Sequence, residues 1–187
     1  MVRRANTSQP LTFAQVYEAH VDFVWRTLRH LGVPAQDLAD VCQEVFIVIH
    51  RQLPAFEGRS RITTWIFQIC INHARDRARK AHVRHEVLAD NGLDRVPAVA
   101  RDPLAELEHK TDLVLFQGAL EAMNLDQRAT FILFEIEGMS GAEVAEALQV
   151  PIGTAYTRLR LARQAFHEAL DRAEGEASPL LRQGGTR

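Results

Sequence analysis

Hydrophobic residues recur at intervals of three and four along most of this chain, which is the spacing of amphipathic helices. The pattern predicts helices over residues 11–31, 34–53, 62–81, 103–123 and 125–137. Helix-ending residues fall between these segments, at Gly32, Pro34, Pro54 and Gly138. No stretch requires a strand, so the predicted fold class is all-α.

Residues 140–170 predict two more helices joined by a very short turn. Ser140 and Glu143 have the spacing of a capping box, which fixes the start of the first helix. Pro151 suits the first turn of the second helix. That helix has one apolar face, formed by Ala155, Leu159, Ala162, Phe166 and Ala169. Helices joined so closely must cross, and we predict a helix-turn-helix.

The opposite face of this second helix is polar near its N-terminus. Its side chains there are Thr154, Tyr156, Thr157, Arg158 and Arg160. A helix-turn-helix contacts base edges and phosphates from this position. Arginine can bind guanine through two hydrogen bonds, and hydroxyls can bind bases or phosphates. A solvated amphipathic helix would show part of the same pattern, so the hairpin alone leaves both interpretations open.

A second candidate site begins with a loop over residues 55–61, centred on Gly58. The helix that follows carries Trp65 and Phe67 near its start. Its end is basic, with Arg75, Arg77, Arg79 and Lys80. Aromatic and basic residues beside a glycine loop are typical of a site for single-stranded nucleic acid. Cations at a helix C-terminus also complement the helix dipole, so a purely structural explanation stays open.

A third candidate surface is the outer face of the helix over residues 34–53. It carries Asp37, Asp40, Gln43, Glu44 and Ile47. A charged helix face is usually only solvated. Ile47, however, places an apolar side chain among carboxylates, where a partner protein could bind.

The helical period is lost between residues 82 and 102, which predicts a flexible linker between two small helical domains. The predicted organisation is a disordered arm over 1–10, a domain over 11–82, a linker over 83–102, a domain over 103–172 and a disordered tail over 173–187. The C-terminal domain contains the helix-turn-helix.

The composition narrows the class of protein. With 187 residues and 47% hydrophobic residues, the chain can form real cores. A formal net charge of -2 argues against coating of duplex DNA by bulk electrostatic attraction. Basic residues nevertheless gather between 59 and 84, whereas residues 102–146 are acidic. This asymmetry predicts a local site for a polyanion.

Cys42 and Cys70 both fall in apolar helical segments, which favours buried, reduced, structural thiols. His82 and His85, taken with either cysteine, match no zinc-binding spacing, so we expect no metal and no cofactor.

The N-terminus lacks the apolar core of a signal peptide, and no apolar run approaches the length of a bilayer. We therefore expect a cytoplasmic protein without membrane insertion.

The order of these features resembles the extracytoplasmic-function sigma factors, bacterial RNA polymerase specificity subunits built from sigma regions two and four. Residues 37–50, DLADVCQEVFIVIH, resemble the polymerase-docking helix of the family. Residues 56–80, FEGRSRITTWIFQICINHARDRARK, resemble its -10 loop and helix. Residues 119–163, which include the helix-turn-helix, resemble region four. The resemblance covers nearly the whole chain.

The resemblance implies a non-enzymatic sigma factor that binds core RNA polymerase, recognises promoter DNA and helps to open it. It assigns the -35 element to the polar face of the helix-turn-helix, and polymerase docking to the outer face of residues 34–53. The -10 contacts that it implies are Phe56, Glu57, Gly58, Ser60, Arg61, Trp65, Asn72, Arg75, Arg79 and Lys80. An anti-sigma factor is a further implied partner.

Several positions depart from the family pattern. The family often has a lysine where this chain has Tyr156, and a basic residue where it has Leu161. Asn124 stands in place of a proline, and Gly141 in place of an aromatic residue. Helix capping accounts for Asn124, whereas the changes at Tyr156 and Leu161 leave the preferred -35 sequence open.

Two other classes of protein compete with this interpretation. A one-component transcriptional regulator would use the same hairpin to bind an operator, but it would not need the loop, aromatics and basic helix end of residues 56–80. A helical hydrolase would draw on His20, His50 and His73. No metal-ligand motif, nucleophile elbow or phosphate-binding loop supports that class.

Overall fold

The computed structural model describes residues 11–87 and 105–182, and every regular element within those ranges is helical. The elements are α1 (Phe13–His30), a 3-10 turn (Ala35–Asp37), α2 (Leu38–Gln52), a 3-10 turn (Leu53–Ala55), α3 (Ile62–Val87), α4 (Ala105–Glu121), α5 (Leu125–Phe131), a π-helical turn (Ile132–Ile136), α6 (Gly141–Leu148) and α7 (Ile152–Arg182). The predicted all-α class, with two helical domains and a helix-turn-helix, is confirmed.

Capping residues set several of the helix starts. At the start of α5, the backbone N–H of Asn124 donates to the Gln127 side chain, and the backbone N–H of Gln127 donates to the Asn124 side chain. This is the capping box that their spacing predicts. Gly138 ends the π-helical turn with a φ of 62°, a left-handed conformation that suits glycine.

Two helices extend past their predicted ends. Helix α3 continues to Val87 rather than stopping near residue 81, since neither glycine nor proline interrupts that stretch. Helix α7 continues to Arg182, inside the segment predicted to be a disordered tail. The predicted arm over 1–10 and most of the predicted linker over 83–102 lie outside the described residues.

The first domain packs α1, α2 and α3 around a common core. Val24, Leu28, Val45, Ile49 and Ile66 are fully buried in it. Cys42 and Cys70 are free and buried there, and burial raises the pKa of both thiols, so both stay protonated. The cysteines are therefore structural, as their apolar context predicts.

The second domain packs α4 to α7 together. Leu120, Phe131 and Ala162 are buried in a cluster bordered by Phe116 and Phe166. The rings of Phe131 and Phe166 stack with their centroids 4.8 Å apart.

None of the helices in the described part of the chain combines the length and apolarity needed to cross a membrane.

The two domains lie against each other and share one continuous buried cluster. Leu31 and Val33 of the first domain belong to the same cluster as Ile132 and Leu133 of the second. In the described residues, the domains are therefore packed together rather than held only by the chain between them.

Arg128 is a buried polar group at this domain boundary. Its side chain is buried, and its Nη1 donates to the carbonyl of Leu31 at 3.1 Å, while Nη2 donates to the carbonyl of Met123 at 3.1 Å. A Cβ atom on Gly32, which has a φ of 89°, would lie 2.1 Å from Nη1. Burial lowers the pKa of Arg128, although an arginine stays ionised in proteins. The glycine at the end of α1 thus makes room for a charged side chain of the other domain.

Candidate nucleic-acid interface

Helices α6 and α7 form the predicted helix-turn-helix. Ser140 caps α6, and its backbone N–H donates to the Glu143 carboxylate at 2.9 Å. Gln149 adopts a left-handed conformation with a φ of 54°, which ends α6 and turns the chain toward Pro151. The crossing buries Val144 and Leu148 of α6 together with Ala155, Leu159 and Ala162 of α7. The short turn predicted from the sequence therefore produces a packed hairpin.

The predicted -35 residues differ in their surroundings. Tyr156, Thr157 and Arg160 are exposed on the first turns of α7, and Thr154 is half-buried. The Thr157 hydroxyl donates to the carbonyl of Gly153 at 2.9 Å, within the same helix. Arg158 is less exposed and binds Asp126, with Nη2 2.7 Å from Oδ2. The helix therefore presents an aromatic ring, a hydroxyl and a cation, while its second arginine is already paired.

Tyr156 and Gly141, two positions that depart from the family pattern, are neighbours in space. A Cβ atom on Gly141 would lie 2.5 Å from the Tyr156 hydroxyl oxygen and 2.7 Å from its Cζ. The ring also lies near Phe134, with the centroids 5.6 Å apart. The absence of a side chain at Gly141 thus creates the space in which the Tyr156 ring lies. Periodicity could not reveal this pair, because the turn between α6 and α7 separates them.

The loop before α3 forms a small aromatic cleft. Gly58 has a φ of 68°, which lets the loop reverse direction. The rings of Phe56 and Trp65 lie with their centroids 5.0 Å apart. They line a cleft of ≈ 360 Å³ together with Gln52, Ala55, Glu57, Arg59 and Ser60. Glu57 and Arg59 form an exposed ion pair at 2.5 Å. Part of the predicted -10 set therefore converges on one concave surface.

The other predicted -10 residues form two adjacent stripes along α3, with Arg61 directly before its first residue. Trp65, Asn72 and Arg79 follow one another at heptad spacing, and Asn72 and Arg79 are exposed. Arg61 and Arg75 instead face the second domain, where Arg75 binds Asp126 at 2.8 Å and Arg61 lies 4.0 Å from Glu143. The side chain of Lys80 lies outside the described residues.

The predicted docking face lies on α2. Asp40, Gln43, Glu44 and Ile47 are exposed there, and Ile47 keeps 43% of its surface accessible. Glu44 is 3.5 Å from Nδ1 of His73, and Asp37 forms an ion pair with Arg77 of α3. Asp37 and Glu44 are therefore partly engaged within the first domain, whereas Asp40, Gln43 and Ile47 point outward.

An apolar groove of ≈ 810 Å³ runs beside this face, between α1 and α2. Ile47 lines it together with Tyr17 and Trp25, which are 45% and 43% exposed. The helical period of α1 predicts that Tyr17 faces the core, and it gives no signal for Trp25. Exposed apolar side chains that cluster in a groove are typical of protein-binding surfaces.

Asp126 is a residue of the interface that the sequence pattern did not single out. It lies in the first turn of α5, where a carboxylate also complements the helix dipole. Its two oxygens bind arginines from the two predicted DNA sites, Arg75 and Arg158.

Within the described residues, no group of three or more His, Cys, Asp or Glu side chains is arranged to hold a metal ion.

Comparison with known proteins identifies both domains. Sigma-70 region 2 matches residues 16–84, and sigma-70 region 4 matches residues 113–166. The chain is 31% identical to the RNA polymerase sigma-H factor of Pseudomonas aeruginosa over 164 residues, which cover 80% of this chain and 77% of the relative. It is 28% identical to the ECF RNA polymerase sigma-E factor of Escherichia coli K12 over 159 residues, covering 81% of this chain and 79% of that protein.

Solved structures show the same fold. The sigma factor RpoE of Bartonella quintana, in complex with the anti-sigma factor NepR, superposes with a TM-score of 0.71 at 24% identity, covering 85% of this chain and 96% of that chain. CnrH, in complex with the cytosolic domain of CnrY, gives a TM-score of 0.60 at 23% identity, covering 86% of this chain and 88% of that chain.

Proposed function

This chain belongs to the extracytoplasmic-function sigma factors of the sigma-70 family, RNA polymerase subunits that recognise promoters, and we propose that its two domains divide that recognition between them. The observation that carries this proposal is the presence, in one chain, of a capped helix-turn-helix and an aromatic cleft at the start of a basic helix. In this scheme α7 recognises the -35 element, and the loop before α3 recognises the -10 element. We propose that the protein acts where the polymerase does, in the cytoplasm, and that it has no enzymatic activity of its own.

The proposed -35 surface consists of Thr154, Tyr156, Thr157, Arg158 and Arg160. Arg160 is exposed and can fork onto a guanine or pair with a phosphate. Arg158 can do so only after it leaves Asp126. Tyr156 offers a ring that can pack on a thymine methyl group, where the family pattern would offer a lysine for phosphate. This surface should therefore contribute fewer phosphate contacts than a lysine-bearing one and depend more on base identity.

The proposed -10 surface is the cleft around Phe56 and Trp65, extended along α3 by Asn72 and Arg79. A base that leaves the duplex stack costs a few kcal/mol, which stacking and hydrogen bonds to its exposed edge can offset. The cleft offers the rings of Phe56 and Trp65 for stacking, and the Ser60 hydroxyl for hydrogen bonding. Arg75, Arg79 and Lys80 can then hold the adjacent phosphates.

We propose that the exposed face of α2 docks onto core polymerase through Asp40, Gln43, Glu44 and Ile47, with Asp37 at its edge. Exposed carboxylates around an apolar side chain provide a charged rim and a central contact. The side chains point away from the core of the first domain, so they can be changed without unfolding it.

Reversing Asp40 and Glu44 to lysine is expected to weaken binding of core polymerase by about tenfold or more, since the charges that this face offers to the partner would change sign. The fold should survive, because both side chains are exposed. Glu168→Lys with Asp171→Lys makes the same charge change on α7 and serves as the control. Unchanged polymerase affinity in the α2 variant, measured on a protein with a normal thermal unfolding transition, would contradict the docking assignment.

Gly141→Ala is expected to change -35 preference without unfolding the protein. The added Cβ would displace the Tyr156 ring, while alanine is compatible with the first turn of α6. In a Tyr156→Ala background the same change should have no effect on promoter preference, because the two residues would act as one unit. Gly118→Ala is the control, since a Cβ there meets no neighbour within 4 Å. Holoenzyme binding to a panel of -35 sequences measures the effect, and equal effects of Gly141→Ala in both backgrounds would refute the coupling.

We propose that an anti-sigma factor also binds this protein. Two of the similar solved structures are complexes with such a regulator or with a cytosolic domain of a second protein. The groove between α1 and α2, with Tyr17 and Trp25 exposed, is a suitable surface for an amphipathic helix. A regulator bound there would cover Ile47 and so compete with polymerase.

Dependence on polymerase distinguishes this function from that of a one-component regulator. The purified chain should retain a promoter fragment strongly only when core polymerase is added. A regulator would bind its operator with the same affinity in the absence of polymerase. A gel-shift titration of the chain with and without core polymerase makes the comparison directly.

A further inference from the structure

The first turns of α7 carry two exposed apolar side chains. Ile152, the first residue of the helix, keeps 50% of its surface accessible, and Tyr156 keeps 53%. They are four residues apart, so they lie on one face of the helix, about 6 Å apart along its axis at 1.5 Å per residue. Single exposed apolar residues are common on protein surfaces. This pair is distinguished by its place, at the end of the helix that a helix-turn-helix inserts into the major groove.

The Tyr156 ring is held on two sides by the protein. Its centroid lies 5.6 Å from that of Phe134, and its hydroxyl end occupies the space over Gly141. Packing of this kind limits the rotamers of the ring, so less conformational entropy is lost when a base contacts its exposed side. Tyr156 therefore offers DNA a positioned apolar surface.

The polar groups beside this pair are partly engaged within the protein. The Thr157 hydroxyl donates to the carbonyl of Gly153 at 2.9 Å, so its one hydrogen is used within the helix. Arg158 binds Asp126 at 2.7 Å. Arg160 is exposed further along the helix. The first turns of α7 therefore present apolar surface where a guanine-binding helix would present free hydrogen-bond donors.

One base offers a matching apolar group in the major groove. Thymine carries a C5-methyl group there, whereas the edges of cytosine, adenine and guanine present hydrogen-bond donors and acceptors. Contact between an apolar side chain and that methyl group removes both from water and requires no charge. Cytosine in the same place would bring its amino donor against apolar side chains, which leaves a polar group without a partner.

We propose that Ile152 is a further specificity residue of the -35 surface, and that it forms with Tyr156 an apolar stripe that recognises thymine methyl groups at neighbouring positions. This inference rests on the proposed function of α7 in recognising the -35 element, and it names the chemical group that two of its side chains contact. The axial separation of about 6 Å corresponds to roughly two base pairs at 3.4 Å each, so the two thymines should lie within about two steps of each other. Such contacts distinguish thymine from cytosine without a bidentate hydrogen bond.

Removing the methyl group from the DNA tests this inference without changing any hydrogen-bonding group of the base. The probe is a duplex promoter fragment from the source genome that the holoenzyme transcribes, with each thymine of its -35 element replaced in turn by uracil. Binding by the wild-type holoenzyme is compared with binding by holoenzymes that carry Ile152→Ala, Tyr156→Ala or Tyr156→Phe. Leu113→Ala is the control, because it removes an apolar side chain of α4 that is exposed to the same extent as Ile152.

Uracil in place of each recognised thymine should lower the affinity of the wild-type holoenzyme about fourfold, as the burial of one methylene-sized group predicts. One of the two losses should disappear in Ile152→Ala and the other in Tyr156→Ala, because a side chain that is absent cannot contact the methyl group. Tyr156→Phe keeps the ring and should keep both losses, as should Leu113→Ala.

Equal losses in the wild type and in both alanine variants would overturn the inference. Wild-type binding that uracil leaves unchanged at every position of the -35 element would overturn it as well. A holoenzyme that binds a scrambled -35 element as tightly as the native one would instead refute the proposed function, so the two failures are distinguishable.

Discussion

Replacing residues 57–61 with a Gly-Ser segment of equal length is expected to abolish opening of a duplex promoter by the holoenzyme. The replacement removes the side chains of Glu57 and Arg59, which line the cleft with Phe56 and Trp65, and it can remove the Ser60 hydroxyl if glycine takes that position. A base outside the stack would then lose the contacts that offset its few kcal/mol of unstacking. Helix α3 should persist, because its buried residues, such as Ile66 and Phe67, are untouched.

Two templates separate base capture from a general loss of affinity. On duplex DNA, permanganate reactivity of the -10 thymines should disappear in the loop variant. On a template whose -10 bases are already unpaired, binding should also fall, because the captured base lacks its site. Arg29→Gln on α1 is the control, because it lowers the net charge of the protein by one unit, as the loop replacement does. If the loop variant matched wild type on both templates, residues 57–61 would be only a connection between helices.

Replacing Arg158 and Arg160 together with alanine is expected to relax the -35 preference of the holoenzyme at the base pairs that these two residues contact. Each lost bidentate contact to a base should cost about 1 to 3 kcal/mol and relax preference at one base pair. A lost phosphate contact would instead weaken all sequences alike and reduce the salt dependence of binding. The holoenzyme is the correct species for this test, because promoter recognition is proposed for the polymerase-bound protein, in which Arg158 must leave Asp126 to contact a base.

A matched control for this double variant lies on the same helix. Arg163→Ala with Arg172→Ala removes two exposed cations from later turns of α7. It should lower affinity slightly at low salt and leave the order of preferred -35 sequences unchanged. Identical sequence preference in wild type and in the Arg158 and Arg160 variant would show that other residues recognise the -35 element.

The helix-turn-helix could be predicted from the sequence because its determinants are local. The capping box of Ser140 and Glu143 and the proline at 151 act within a few residues of the helix ends that they set. The apolar spacing of α7 likewise predicts the face that it buries. Capping and apolar spacing depend little on the rest of the fold. The helix starts therefore lie where the sequence pattern predicts them.

The contacts between the domains could not be predicted in the same way. Asp126 and Arg75 are distant in the chain. The spacing of hydrophobic residues gives no information about which carboxylate binds two arginines from different helices. The same limit applies to Tyr156, whose ring depends on the empty space above Gly141. The residue-level assignments to promoter elements and to polymerase stay predictions, and the variants described above test them.

Transcription initiated in vitro with core RNA polymerase is the most direct measurement of the central claim. Purified chain and core polymerase, supplied with promoter fragments from the source genome, should together yield transcripts that begin at discrete sites, whereas either component alone should not. Adding the Asp40→Lys, Glu44→Lys variant in place of wild type should reduce transcript yield in proportion to its loss of polymerase affinity. Failure of the chain to direct initiation from any such promoter, while binding duplex DNA equally well without polymerase, would contradict the account and favour a one-component regulator.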